Sequence, residues 1–376
     1  MIRLGSPSIS TADTDRVAKV LMSGFLVQGP EVRAFEGELA DLLGVEHVVV
    51  MSNCTSALEV ALRSLGVGRG DLVITSSYSW IATANVIEVV GATPVFVDID
   101  PASYNIDVAA LQQVVWDLDR GEDISRVKAI MPVHAFGLTA DMDAIQTIGN
   151  DLEVPIVEDA ACALGATSPG KAVGTTGAVG CFSFHPRKSI TTGEGGALVT
   201  NDDMIADFAF SYRNHGQNPG VVHRFDQIGH NYRLTDAMAA LGRNQLLQLP
   251  VFLDRRRRIM ITYLEKLQGH VGLPEFHPDR HAGQAFVVRL PEGFDRQEIM
   301  KAMHANGVET GTGTVAIPFT DVYTGKYGFT PREFPNLASI MGRTLALPIH
   351  AEMSIDEAEF VAATLLQILA GASRSP

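Results

Sequence analysis

Lys188 closes the segment Ser183-Phe184-His185-Pro186-Arg187-Lys188, and a Gly193-Glu194-Gly195-Gly196 hairpin follows it. A primary amine between a strand and a glycine hairpin can condense with an aldehyde to form a Schiff base. Once displaced, the same amine can carry protons. Upstream, the run Pro155-Ile156-Val157-Glu158-Asp159 ends an apolar strand in two acids. A carboxylate at that position can face the nitrogen of a heteroaromatic ring and keep it protonated, which makes the ring an electron sink. Successive strand residues point to opposite faces, so only one of the two acids can reach such a ring, and Asp159 is the candidate.

Two further segments could complete a site of this kind. Ser52-Asn53-Cys54-Thr55-Ser56-Ala57-Leu58 runs from the end of a strand straight into a helix. The free N–H groups and positive dipole end of a helix N-terminus suit a phosphate dianion, and Ser52 or Asn53 acting as a plain helix cap is the other reading of the same residues. In Ser76-Ser77-Tyr78-Ser79-Trp80, Trp80 lies just beyond a strand, where an aromatic can stack on a flat ring or fill an apolar gap. Gly66-Val67-Gly68-Arg69-Gly70 is set aside as a dinucleotide fingerprint. It lies between a helix and the next strand, whereas that fingerprint leads from strand to helix.

The elements that must hold these residues are short β-branched runs alternating with helical patterns. Strands are expected at 47–52, 71–76, 93–99, 127–133, 155–160, 179–184 and 195–200. Between the first two, Leu58, Leu62 and Leu65 share one helical face. Strand–helix alternation implies a mostly parallel sheet covered by helices. Runs such as His47-Val48-Val49-Val50-Met51-Ser52 are apolar throughout, as strands buried on both faces are. A long helical pattern containing Asp254-Arg255-Arg256-Arg257-Arg258 then leads toward a second unit, with a strand at 285–290 and helices near 295–306 and 354–370. The expected division is a large domain over 1–248 and a smaller α+β domain over 249–376, with the N-terminal segment packing on the smaller one. A chain of 376 residues is long enough for two cores.

Bulk properties narrow the class. A net charge of -14, from 43 acidic and 29 basic residues, argues against a nucleic-acid partner. Cys54, Cys162 and Cys181 are too few for a disulfide framework, the N-terminus lacks a signal-peptide pattern, and no apolar run approaches the roughly 20 residues of a membrane span. A cytoplasmic globular protein without a membrane partner is expected.

Together these motifs resemble the DegT/DnrJ-type sugar aminotransferases, a branch of the fold-type I enzymes that use pyridoxal 5'-phosphate. The resemblance covers nearly the whole chain through about residue 250. It implies a seven-stranded large-domain sheet, Lys188 as the Schiff-base lysine and Asp159 opposite the pyridine nitrogen. It also gives Thr55, Ser56 and Ser183 to the cofactor phosphate and Trp80 to stacking. Asn231, in Asn231-Tyr232-Arg233-Leu234, would reach the phosphate of a neighbouring subunit, so a homodimer with composite sites is implied. Retention of Lys at 188, where dehydratase relatives carry His, favours amino transfer. His134, in the segment after the fourth strand, is read equally as a structural histidine or a ligand contact.

The chain departs from the family pattern at four places. Cys54 stands where Gly is usual, and Cys162 stands where Gln or His approaches the phenolic oxygen of the ring. In the C-terminal third, Pro318-Phe319-Thr320-Asp321-Val322-Tyr323 replaces a His-bearing segment, and His281-Ala282-Gly283-Gln284 lacks the usual aromatic. The implied reaction moves an amino group from a small amino acid donor, glutamate by resemblance, to a keto sugar, foremost a nucleotide-linked keto-deoxysugar. A keto cyclitol or unactivated sugar acid as acceptor, or a cofactor-binding regulatory protein, are the alternatives.

Overall fold

Strand sequences buried on both faces come together in one seven-stranded sheet in the computed structural model, which describes residues 1–371 apart from 122, 169, 219 and 222. The strands are β1 (His47–Met51), β2 (Leu72–Ser76), β3 (Thr93–Val97), β4 (Val127–Met131), β5 (Val157–Asp159), β6 (Val179–Ser183) and β7 (Gly196–Thr200). Their spatial order is β1-β7-β6-β5-β4-β2-β3, with β4 and β5 joined by the parallel bridges Ile130–Ile156 and Val133–Asp159. Only β7 runs antiparallel to its neighbours. Every expected strand is present, with its ends drawn in by at most two residues.

Alternation along β1 assigns its faces. Val49 and Met51 pack with Leu58, Leu62, Ile87 and Ile205 beneath the helices Cys54–Ser64, Ala82–Val90 and Asp203–Tyr212. Val48 and Val50 pack the other way, with Phe35, Leu39 and Phe182 under the helix Pro30–Leu43. The far end of that second face is covered by the helices Val108–Arg120 and Met142–Asp151, which bury Leu111 and Ile145 against Leu72 and Ile74. A parallel sheet is stable only when both faces are covered in this way.

The second core forms around the antiparallel pair β8 (Phe286–Arg289) and β9 (Thr344–Leu347). The helices Arg296–Ala305 and Ile355–Gly371 bury Ile299, Met303, Val361 and Leu365 against it. The 32-residue helix Asp236–Leu267 serves both cores: Leu249 and Phe252 pack in the first, Ile259, Tyr263 and Leu267 in the second. The point between 248 and 249 falls inside this helix. At the N-terminus, Ile2 bridges Val308 and packs against the second core. The two-residue strand Val315–Ala316 pairs with Tyr78–Ser79 from the end of β2, so a loop of the second unit is stitched to the first.

Candidate active site

The C-terminal ends of β1, β2, β5 and β6 open onto one cavity of about 380 Å³, the usual location for a ligand in an open parallel sheet. Asn53, Cys54, Thr55, Trp80, Asp159, Cys162, Ser183 and Lys188 are among its walls. Each reaches it because the chain turns just beyond a buried strand.

At the β1 end, Asn53 is the N-cap of the helix Cys54–Ser64, and its side-chain oxygen accepts from the Ser56 N–H at 2.8 Å. Such a cap is worth about 1 kcal/mol. The Ser56 hydroxyl donates to the same oxygen at 3.0 Å, and Ser56 is not among the cavity walls, whereas Thr55 is. The cap reading therefore holds for Asn53 and Ser56, and Thr55 is left lining the cavity. Gly196 of the glycine hairpin explains how the helix start comes so close to β7. A Cβ there would lie 2.4 Å from the Cys54 nitrogen and 2.5 Å from the Asn53 carbonyl carbon.

Glu158 and Asp159 divide as strand geometry requires. Asp159 is buried at the cavity floor, where Thr83 Oγ1 donates to Oδ2 at 2.8 Å and the Ala161 N–H donates to Oδ1 at 3.2 Å. Burial raises the Asp159 carboxyl above its ordinary value, and the Thr83 and Ala161 hydrogen bonds and the Lys188 charge only partly reverse this. Glu158 points to the other side, where the N–H groups of Gly174, Thr176 and Gly177 donate to it at 2.8, 2.7 and 2.7 Å. His134 is fully buried beside it, with Nε2 at 2.9 Å from Glu158 and Nδ1 accepting from the Ala140 N–H at 3.1 Å. Since Nδ1 accepts, Nε2 carries the hydrogen and donates to the carboxylate. Burial opposes the Glu158 charge, but the hydrogen bonds from His134 and the loop N–H groups hold its carboxyl below the ordinary range. His134 is thus a structural residue and does not line the cavity.

Lys188 follows β6 by a short turn, and its Nζ donates to Cys162 Sγ at 3.0 Å. Burial lowers the affinity of this amine for a proton. The neighbouring Cys162, Cys54 and Asp159 outweigh that effect and leave it above the usual lysine value. His185 sits in the same wall, held below its usual value by burial and by Lys188 and Arg187, against the pull of Glu194. At the rim, Trp80 is 61% exposed and lines the cavity. Thr314 and Gln284 reach the wall from the second unit, and Leu4 and Gly5 from the N-terminal segment. Thr312 does not; its carbonyl accepts from Thr344 Oγ1 at 2.9 Å.

Asn231 lies away from this cavity, exposed, and bridges Asn214. Residues that motif reading missed are Thr83, His185, Gln284, Leu4 and Gly5. His185 lies inside the Ser183–Lys188 segment and Gln284 inside the His281–Gln284 segment, and Thr83 follows Trp80 by three residues. Leu4 and Gly5 arrive from the N-terminal segment and carry no local signal.

A doubly covered parallel sheet with a lysine, a buried acid and a helix N-terminus around one cavity defines a fold-type I aminotransferase. The profile of the DegT/DnrJ/EryC1/StrS aminotransferase family matches residues 7–366, and the chain belongs to that family. It is 34% identical to the spore coat polysaccharide biosynthesis protein SpsC of Bacillus subtilis, over 97% of this chain and 96% of that one. A DegT DnrJ EryC1 StrS aminotransferase from Brucella abortus superposes with a TM-score of 0.89 at 32% identity, covering 96% of each chain. Helicobacter pylori PseC, an aminotransferase involved in the biosynthesis of pseudoaminic acid, superposes at 0.91 with 27% identity, over 99% of this chain and 100% of that one. Among the described residues no helix is long and apolar enough to cross a membrane.

Proposed function

We propose that this aminotransferase binds pyridoxal 5'-phosphate in the cavity and moves an amino group from an amino acid donor, glutamate, to the ketone of a nucleotide-linked deoxysugar. The observation that carries the reading is that Lys188 Nζ, the Asp159 carboxylate and the start of the helix Cys54–Ser64 line the same cavity. Their chemistry suits an aldehyde, a basic ring nitrogen and a phosphate respectively. Polysaccharide and pseudoaminic acid biosynthesis, named for SpsC and PseC, support a sugar acceptor.

When bound, the cofactor supplies an aldehyde carbon and a conjugated ring that withdraws electrons from the reacting carbon. The protein supplies the rest. Helix N–H groups, the Thr55 hydroxyl and Ser183 would hold the phosphate, and Trp80 would fix the ring plane from the rim. Asp159, locked by Thr83 and Ala161, would hold a proton on the ring nitrogen. Lys188 Nζ, on a flexible stem beside Cys162, would take the donor's α-proton and deliver it within the site. Thr314 and Gln284 offer a hydroxyl and a carboxamide to the acceptor. A second copy would complete the site through Asn231, whose side of the molecule is exposed in the single chain.

The test offers a panel of nucleotide-linked keto sugars, free keto sugars and keto cyclitols to the pyridoxamine phosphate-loaded protein and follows the return of aldehyde-form absorbance. Turnover confined to the nucleotide-linked compounds is expected. Turnover confined to the cyclitols or free sugars would reassign the acceptor.

A further inference from the structure

Of the three cysteines, Cys54 and Cys181 are buried, and Cys162 is partly exposed. Cys162 Sγ receives the Lys188 Nζ–H at 3.0 Å, and both side chains line a cavity large enough to admit small molecules. The sulphur is therefore reachable by a small oxidant, and the nearest nucleophile to it is a primary amine already in contact.

We propose that Cys162 and Lys188 form a reversible covalent sulphur–nitrogen cross-link when the protein meets a peroxide. The first step breaks the O–O bond of hydrogen peroxide: Cys162 Sγ–H becomes Sγ–OH, the sulphur loses two electrons and one water leaves. Sulfenic acids condense with nearby nitrogen nucleophiles. In the second step Lys188 Nζ first gives up its ammonium proton to water; the lone pair so freed attacks Sγ, the S–O bond breaks, and hydroxide leaves with a further proton from nitrogen as a second water. The product is Sγ–Nζ–H. Peroxide is reduced to two waters and the protein loses two hydrogens.

The position of each residue favours this bond over the alternatives. Cys54 and Cys181 share one apolar cluster, and burial pushes both thiols well above their ordinary values, so neither is a ready partner for an oxidised Cys162. A thiol reductant attacking Sγ would release the amine and restore both side chains. The cross-link itself rests on the contact alone. Its consequence for turnover rests on the reading of Lys188 given under the proposed function: the bond removes the amine that the aldehyde cofactor needs. Protein loaded with pyridoxal phosphate, its Lys188 engaged, would be protected. Protein loaded with pyridoxamine phosphate, its Lys188 free, would be vulnerable.

The experiment treats the full-length protein, loaded in turn with pyridoxamine phosphate and pyridoxal phosphate, with hydrogen peroxide, and maps the products by peptide mass spectrometry. Expected is a Cys162–Lys188 cross-linked peptide pair, two hydrogens lighter than the unlinked pair. It should appear in the pyridoxamine-loaded sample, disappear on dithiothreitol treatment and be missing from Cys162→Ala. Peptide mapping is needed because a Cys54–Cys181 disulfide would give the same intact mass. Stepwise oxidation of Cys162 to sulfinic acid with Lys188 unlinked in the pyridoxamine-loaded sample would overturn the proposal. A cross-link of equal yield in both samples would uphold the bond and instead remove Lys188 from the aldehyde.

Discussion

Glu158 and Asp159 are consecutive on β5, and their carboxylates serve opposite sides of the sheet. Asp159 faces the cavity with one hydroxyl and one N–H donor. Glu158 gathers three loop N–H groups and the His134 ring into a buried anchor. One strand thus presents a cavity-facing acid whose charge is poorly supported by the protein alone, backed by a structural acid whose charge is fully satisfied.

Asp159→Asn should separate stability from activity. The folded carboxyl is raised above its ordinary 3.8, so its contribution to stability is full below that value and lost as pH rises through the folded value. Near neutrality the charged form is a burden on the cofactor-free protein. The variant, which keeps an oxygen for Thr83, should melt at or above the wild-type temperature there, the gain shrinking as pH falls. Turnover with pyridoxal phosphate should drop on the order of 10²-fold or more. Thermal unfolding across pH, with activity in parallel, checks both halves.

Glu158→Gln should do the reverse. A carboxamide offers one acceptor oxygen, so two of the four donors around Glu158 would face an NH₂ group, at about 1–3 kcal/mol each. Because the folded carboxyl is lowered from 4.5, its stabilisation is present above that value and lost as pH falls through the folded value. Denaturant titrations should show a loss of about 2–5 kcal/mol at neutral pH that narrows in acid.

Gly196→Ala tests the packing of the turn proposed to bind the phosphate. The added methyl would meet backbone atoms of Asn53 and Cys54, which have no rotamer by which to yield. Overpacking of this kind costs about 1–3 kcal/mol, and the displaced helix start should weaken cofactor binding. Melting temperature and a pyridoxal phosphate titration should both worsen. An unchanged cofactor affinity would mean that the turn is not part of the phosphate site.

Thr314→Val tests the loop from Glu309 to Tyr323 as an acceptor contact. Thr314 lines the cavity and Thr312 does not, so Thr312→Val serves as the comparison. Loss of one hydroxyl contact should cost roughly 0.5–1.5 kcal/mol, a factor of about 2 to 12 in acceptor kcat/KM. The donor half-reaction, measured separately in single turnovers, should be unchanged. Equal slowing of both halves would take the loop out of the acceptor site.

The sheet was legible because burial on both faces writes itself as uninterrupted apolar runs, and β1 and β2 are buried along nearly their whole lengths. The split between Glu158 and Asp159 followed from the two-residue strand repeat, and Lys188 and Asp159 do meet in one cavity. What stayed hidden was set by competition among polar groups or by distance along the chain. Ser56 carries a hydroxyl at a helix start, yet Asn53 claims it. Thr83 looked like one more helix residue until the fold brought it to Asp159, 76 positions away. Leu4 and Gly5 enter the cavity wall from the N-terminal segment, through contacts that no local pattern encodes.

The pairing of Val315–Ala316 with Tyr78–Ser79 makes the loop that carries Thr314 and the turn that carries Trp80 a single mechanical piece. Engineering a new acceptor preference by grafting this loop from a relative would therefore not be a local edit. A donor loop with a different register would drag Trp80 with it. A successful chimaera would have to import the 76–80 turn and the 309–323 loop together.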